Sequence, residues 1–467
     1  MKRRTTMKKV KIGLLPLYIK LYDDYTPKTH EGMVKYYNDI ATSFCNHDVE
    51  LVTVDICRIR SEFETAVKKF EDESVDAMVT VNLAYSPSLE SAEVLAKTKL
   101  PMIVLDTTRD YCFDLEIAAG STTFNHGIHG VQDLCNLMRR LGKDYSIFTG
   151  HYLESDVVKD VIDAVRAIKA ARAFDGIRVG TVGGAFDGMG DFKVPKDVAD
   201  KLGVVTVVCE GDELEAIKSE ITDEAIKAEY ERDCKESRGE NVPFDQYVNP
   251  ERTALAVREW IKRKELSAFT LNFLKADKMP GFDIMPFSEA CKQMAEGVGY
   301  AGEGDVINAA LVGSLMQGFD EVNFVEMFCP DWKNNTIYMS HMGECNLALM
   351  EGKHLEIKPF PYADSDNPVC ILGNMKPGAG CIVNMPPSAD GWFDMVIVEG
   401  EMQQLPDKIE NFKMSINGWF KPKMEVAPML KKYSELGGTH HSAFVYGVSG
   451  ESLAELAKTL GMKCTVI

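Results

Sequence analysis

Short apolar runs rich in β-branched residues recur along the first third of the chain, bounded by polar positions, at 10–15, 49–54, 77–81, 102–105 and 145–148. Between them apolar residues recur at helical spacing, over 32–45, 62–70 and 89–96. This alternation of strand-like and helix-like segments predicts a parallel sheet with helices on both faces. A helical stretch over 154–174 closes this part, and a strand over 177–182 opens a second unit of the same kind. That unit continues through strands over 204–208 and 268–273 and helical regions over 212–238 and 251–264, with a polar loop over 237–246. Beyond residue 322 the pattern changes. Runs over 323–328, 336–342, 355–360, 369–372, 381–384 and 395–402 follow one another with Gly/Pro turns and little helix between them, which predicts an antiparallel barrel or sandwich. A helix over 451–460 and a strand over 464–467 come last. The expected fold class is α/β: two doubly wound parallel-sheet (Rossmann-like) domains, 1–175 and 176–322, then a C-terminal antiparallel β-barrel-like domain, 323–467.

Length and composition fit this picture. The chain has 467 residues, 45% hydrophobic and 26% charged, which is an ordinary globular balance. No stretch approaches the roughly 18 uninterrupted apolar residues of a membrane helix. The start is basic but no signal-type apolar run follows, and Met7 is an alternative first residue with 1–6 as a lead. The net charge is −19, from 52 basic and 71 acidic residues, so most of the surface repels a phosphate backbone and nucleic acid is not an expected partner. None of the 12 cysteines forms a C-x-x-C pair, and many sit in apolar runs. That reads as reduced core thiols in a cytoplasmic protein.

Ionisable residues stand in four segments where a purely structural chain seldom puts them. In Gly299-Tyr300-Ala301-Gly302-Glu303-Gly304-Asp305, Glu303 sits between two glycines, ahead of a helical run to Gln317 that Asp305 is suited to cap. Taken alone, that glutamate reads more often as an ordinary loop residue. In Asn323-Phe324-Val325-Glu326-Met327-Phe328, strand alternation puts Glu326 on the face of Phe324 and Phe328, where a carboxylate is costly to bury without a cation or proton. His341 shares a strand face with Ile337 and Met339, and one short connection separates it from the Glu326 strand. A lone histidine there is more often a hydrogen-bonded core residue than a ligand. The sharpest local signal is Gly437-Gly438-Thr439-His440-His441, which takes two of only 9 histidines. Two carboxylates and two imidazoles make a mixed oxygen/nitrogen set suited to Mn²⁺ or a similar ion, whereas zinc sites tend to recruit Cys or more His.

These segments, in this order, resemble the L-arabinose isomerase branch of the L-fucose/L-arabinose isomerase family: Gly-Phe/Tyr-Ala-Gly-Glu-Gly-Asp, Phe-x-Glu, Ser-His-Met-x-Glu and Gly-Gly-x-His-His-x-x-Phe. The resemblance runs over nearly the whole chain. It implies a homo-oligomer, trimeric or hexameric, with active sites at subunit junctions. It also implies metal ligation by Glu303, Glu326, His341 and His441, with His440 beside the substrate. His129 resembles a histidine contributed by a neighbouring subunit, and Met189 and Tyr18 match pocket positions. The Glu/Glu/His/His set argues for the arabinose side, since the fucose branch is expected to use Glu, Asp and His. Two departures concern the sugar. After Glu326 the family's Asp-Tyr-Thr-Tyr is replaced by Met327-Phe328-Cys329-Pro330, and a polar Gln-His pair by Leu15-Pro16.

The activity this implies is aldose–ketose isomerisation through an ene-diol, of the L-arabinose to L-ribulose type, with Glu303 and Glu326 as the acid/base pair. The alternatives are the same chemistry on another sugar (L-fucose, D-galactose or a 6-substituted hexose such as sulfoquinovose), a non-catalytic sugar-binding protein, or an inactive relative that keeps the ligands. A nucleotide cofactor is not expected. Gly183-Gly184 and Gly188-x-Gly190 follow a strand but lack the G-x-G-x-x-G spacing.

Overall fold

In the computed structural model the early apolar runs form a five-stranded parallel sheet: β1 (Val10–Leu17), β2 (Val49–Thr53), β3 (Ala77–Asn82), β4 (Met102–Asp106) and β5 (Ser146–Thr149), in the order β2-β1-β3-β4-β5. The structure describes residues 9–26, 28–238, 241–406 and 409–467; the basic lead and positions 239–240 of the predicted loop lie outside them. The inner strands are mostly apolar because helices cover both faces. Ile12 and Leu14 of β1 face one layer with Met33, Tyr36, Ile40 and Phe44 of the helix Lys28–Cys45, and Val161 and Val165 of Val157–Arg172. Leu15 and Leu17 face the other, with Phe63, Val67, Phe70, Leu134 and Met138. The strand order reverses between β1 and β3, where sheets of this class take ligands at the carboxyl edge.

The chain divides into two compact units near residue 170. The second opens with a four-stranded parallel sheet, β6 (Arg178–Val182), β7 (Val205–Val208), β8 (Ala268–Leu271) and β9 (Gly299–Gly302), ordered β7-β6-β8-β9. Residues 299–302, assigned to no element from sequence, form β9, which pairs Gly299 with Ala268 and Gly302 with Leu271. Gly299 permits it, since a Cβ there would lie 2.3 Å from the Gly313 backbone nitrogen of the buried helix Val306–Leu315. The helix predicted over 251–264 begins earlier, at Phe244, and runs through Pro250 to Arg263.

The remaining strands form the predicted barrel. They are β10 (Val322–Asp331), β11 (Thr336–Ser340), β12 (Met350–Ile357), β13 (Val369–Met375), β14 (Gly378–Asn384), β15 (Asp394–Met402), β16 (Ile416–Pro422), β17 (His441–Tyr446) and β18 (Lys463–Val466). Pairing of β16 with β15 closes β16-β11-β10-β17-β14-β15 into a six-stranded antiparallel ring. To it β12 and β13 are added at one side and β18 at the other. The fold class is as expected, an α/β chain with two parallel sheets and a C-terminal barrel. All cysteines are free. Cys57, Cys209, Cys291, Cys345, Cys370 and Cys381 are buried as anticipated, while Cys45, Cys112, Cys329 and Cys464 are exposed.

Candidate active site

Two edges of the second unit meet at the candidate site: the carboxyl end of β9, and the β10, β11 and β17 strands of the barrel. Glu303 follows β9 with φ +62°, a left-handed backbone that costs a non-glycine residue about 1–3 kcal/mol. Four hydrogen bonds hold it there. The Glu303 carbonyl accepts from the Phe186 N–H at 2.9 Å, the Gly302 carbonyl accepts from the Asp305 N–H at 3.0 Å and the Thr270 hydroxyl at 3.1 Å, and the Gly304 N–H donates to Thr270 Oγ1 at 3.0 Å. Asp305 caps the following helix by accepting from the Asn308 N–H at 2.9 Å.

On the barrel side, Glu326 pairs across the ladder with Ser340 on β11 and with His441 on β17. His341 follows β11 directly. The expected stack of Phe324, Glu326 and Phe328 on one face is only half right. Phe324 is fully buried, but a β-bulge between Met327 and Cys329 breaks the alternation and leaves Phe328 exposed.

The geometry draws Glu303, Glu326, His341, His440 and His441 together. Ligand atoms of Glu326, His341 and His441 lie within 4.8 Å of one another, as do those of Glu303, His440 and His441. Glu326 Oε2 is 3.8 Å from His341 Nε2, and Glu303 Oε2 is 3.3 Å from His441 Nε2. Gly302 shows where the rings point: a Cβ on it would lie 2.9 Å from His341 Nε2 and 3.7 Å from His441 Nε2. Both nitrogens therefore face one spot beside Glu303, and only a glycine leaves that spot open.

Carboxylates behind the rings fix which nitrogen faces inward. His341 Nδ1 is 2.7 Å from Glu344 Oε2, and Glu344 also accepts from the Tyr300 hydroxyl at 2.7 Å and the Gly343 N–H at 2.8 Å. His441 Nδ1 is 3.0 Å from Asp305 Oδ2, so the helix cap doubles as a ring anchor. The Nε2 atom of His441, a fully buried residue, makes no hydrogen bond despite its closeness to Glu303. An orphaned imidazole nitrogen aimed at two carboxylates and a second imidazole fits a divalent cation.

Burial opposes the charge on His441, but the Asp305 and Glu303 carboxylates overcome it and lift the imidazole to about 9. For Glu303, burial is outweighed by His440 and His441, which hold the carboxyl well below its usual range. Burial dominates at Glu326 and pushes its carboxyl up.

His440, the other member of the pair, turns away from the strand. Its Nε2 is 3.4 Å from Glu303 Oε2 and its Nδ1 is 2.6 Å from Asp191 Oδ2. The next residue, Phe192, stacks on the His441 ring at 5.4 Å and 14°. Met189 is half-buried in the same loop. Sequence reading missed Asp191, Phe192 and Thr270 because none carries a local signature; Asp191 lies 249 positions from the histidine it meets. Tyr18 and His129 belong to the first unit. Tyr18 is fully buried just past β1 with an unpartnered hydroxyl, and burial pushes its phenol up. His129 is exposed, its ring edge-on at 5.7 Å to His126, which sequence reading did not single out. His126 bonds Tyr22 through Nε2 at 2.9 Å and leaves Nδ1 unpartnered; both amide atoms of Asn82, at the end of β3, are unpartnered too.

Among the described residues one further group, Glu229, Asp233 and Glu251, also brings three carboxylate oxygens within 4.8 Å of one another. Its centre is filled by the Lys292 ammonium, 3.0, 2.8 and 3.3 Å from the three carboxylates. That site already holds its cation.

Comparison with known proteins places this geometry in a lineage. Residues 197–318 match the L-arabinose isomerase central domain and residues 321–463 the L-arabinose isomerase C-terminal domain, together more than half of the chain. The chain belongs to the L-arabinose isomerase family. Membership puts it among the aldose–ketose isomerases, enzymes that exchange a sugar carbonyl between C1 and C2. The L-arabinose isomerase 1 of Bacillus licheniformis is 24% identical over 436 residues, 90% of this chain and 85% of the relative. The Shouchella clausii L-arabinose isomerase is 24% identical over 417 residues, covering 85% and 82%. In both family domains the matched span contains the residues just described: Glu303 in the central one, Glu326, His341 and the His-His pair in the C-terminal one. Among the described residues no helix is long and apolar enough to cross a membrane.

Proposed function

We propose that the protein is a metal-dependent isomerase that converts an aldose to its ketose through an ene-diol, L-arabinose to L-ribulose being the reading its relatives support. The proposed ion, Mn²⁺ or one like it, is held by Glu303, Glu326, His341 and His441. The observation that carries this is the convergence of two imidazole Nε2 atoms on the point beside Glu303, one of them buried and without a hydrogen bond. When bound, the ion supplies positive charge beside the sugar's first two oxygens, where negative charge develops.

The chain's own residues do the rest. Glu303 and Glu326 come from two different elements; one takes the proton from C2 and delivers it to C1, while the other carries the hydroxyl proton from O2 to O1, so that both protons are accounted for. Positioned proton transfer of this kind contributes about 10²–10⁴-fold. Asp305 and Glu344 keep the two rings facing inward. His440 is placed to meet a sugar oxygen through Nε2. Tyr18, His129 and Met189 are proposed substrate contacts, with Tyr18 and His129 supplied by a neighbouring copy in a trimer or hexamer. The unpartnered polar atoms of Tyr18, Asn82 and His126 at the switch point of the first sheet suit sugar hydroxyls. The three-part division at 175 and 322, and a cytoplasmic location, complete the proposal.

A second reading keeps the chemistry and changes the sugar. It is favoured by the bulge after Glu326, where Met327-Phe328-Cys329-Pro330 turns an aromatic ring outward. A panel of aldoses assayed for ketose formation with Mn²⁺ separates the two. L-arabinose leading the panel supports the first reading, and a hexose or 6-substituted sugar leading it supports the second. No turnover of any aldose, with no bound ion, overturns both.

A further inference from the structure

We infer that Asp191 is a positioning residue for the isomerisation, pinning His440 so that its Nε2 faces Glu303 and the sugar. This rests on the reading that His440 borders the substrate. Three observations carry it. Asp191 Oδ2 meets two groups of one residue, His440 Nδ1 at 2.6 Å and the His440 backbone N–H at 3.1 Å. With Nδ1–H donated to a carboxylate, the ring can neither rotate nor exchange its nitrogens, and Nε2 is left as the atom at the site, 3.4 Å from Glu303 Oε2. The contact is also part of a clamp. Consecutive residues of the loop after β6 grip consecutive histidines, Asp191 holding the edge of His440 and Phe192 stacked on His441 at 14° while tilted against His440 at 5.6 Å. Finally, Glu303 and this loop are tied together. The Phe186 N–H donates to the Glu303 carbonyl, and a Cβ on Gly304 would lie 2.2 Å from the Gly184 carbonyl oxygen. Asp191 thus approaches His440 from a loop whose other end is fastened to the backbone of Glu303, the residue whose carboxylate His440 faces.

The same carboxylate satisfies a backbone N–H, so a purely structural cap has to be told apart from a positioning role. A cap would lower the melting temperature and disturb KM, kcat and ion content together. A positioning residue acts on turnover, through His440.

The test is a set of variants of the full-length protein. Asp191→Ala is expected to lower kcat about 10- to 100-fold, the range typical of removing a partner that orients an active-site ring. KM and bound-ion content should hold. Asp191→Asn, whose side-chain oxygen can accept the same two N–H groups, should restore most of the turnover. In a His440→Asn background the Asp191→Ala change should have no further effect on kcat, as a double-mutant cycle requires for one residue acting through another. A crystal structure of Asp191→Ala is expected to show the His440 ring turned off the line to Glu303; this readout does not depend on which sugar is the substrate, or on any turnover at all. A ring that stays in place, or equal kcat losses from Asp191→Ala with and without His440, overturns the assignment. A wild-type protein inert on every aldose would instead sink the isomerase reading, and the crystal structure would still decide whether Asp191 holds the ring.

Discussion

Two buried clusters of opposite design sit in the second unit of this chain. Around Glu229, Asp233, Glu251 and Glu289, carboxylates crowd together, but Lys292 stands among them and Arg258 bridges Glu229 at 2.9 Å and Glu289 at 2.7 Å. Around Glu303 and Glu326 no lysine or arginine makes an ion pair among the described residues, and the nearest cationic groups are imidazoles, one with an orphaned nitrogen. Proximity of ligand-type atoms does not distinguish the two, since each brings three of them within 4.8 Å of one another. The distinction is whether the protein has supplied its own cation. A cluster completed by lysine and arginine holds a fold together; the other offers only imidazoles, and it is the one to which the proposed ion is assigned.

Four substitutions press on this contrast. Glu303→Gln should cut ketose formation by about 10²–10⁴-fold while leaving the melting temperature close to wild type. A variant that turns over normally removes Glu303 from the chemistry. Lys292→Met does the reverse. It strands buried carboxylates and should cost about 3–5 kcal/mol of stability in denaturant titrations, with little change in kcat for the protein that remains folded. Asp305→Asn keeps an oxygen for the Asn308 N–H but weakens the hold on His441 Nδ1. It should raise the ion dissociation constant about 10- to 100-fold, measured by titration of stripped protein.

The smallest effect concerns pH. Burial lifts the Glu251 carboxyl from 4.5 to about 7, so its proton is held more tightly folded than unfolded. Stability from this group is fully present below the unfolded value and is lost as pH rises through the folded one. Glu251→Gln removes that dependence, so its melting temperature should gain on the wild type between about pH 5 and about pH 8. Parallel curves across that range would show that Glu251 does not titrate there.

The chain pattern made most of this architecture legible. Alternation of strands and helices reported the two parallel sheets, because strands covered on both faces are continuously apolar, as at Ile12 to Leu17. The strand Gly299–Gly302 was illegible for the opposite reason: it has small residues where the Val306–Leu315 helix comes close, and glycines read as loop. At the site, Glu303, Glu326 and the His-His pair stood out because charged residues between glycines or beside phenylalanines violate local expectation. Asp191 and Phe192 violate nothing. They sit in a polar turn after β6, and their importance exists only once β17 is folded against that turn. The Phe328 face was misread because a bulge inserts one residue and reverses everything after it.

The most direct test is metal content by mass spectrometry on protein purified without added ions or chelator, for wild type, His441→Asn and Glu251→Gln. One divalent ion per chain is expected in wild type and in Glu251→Gln, and none in His441→Asn. An ion that survives loss of His441, or departs with Glu251, would contradict that expectation.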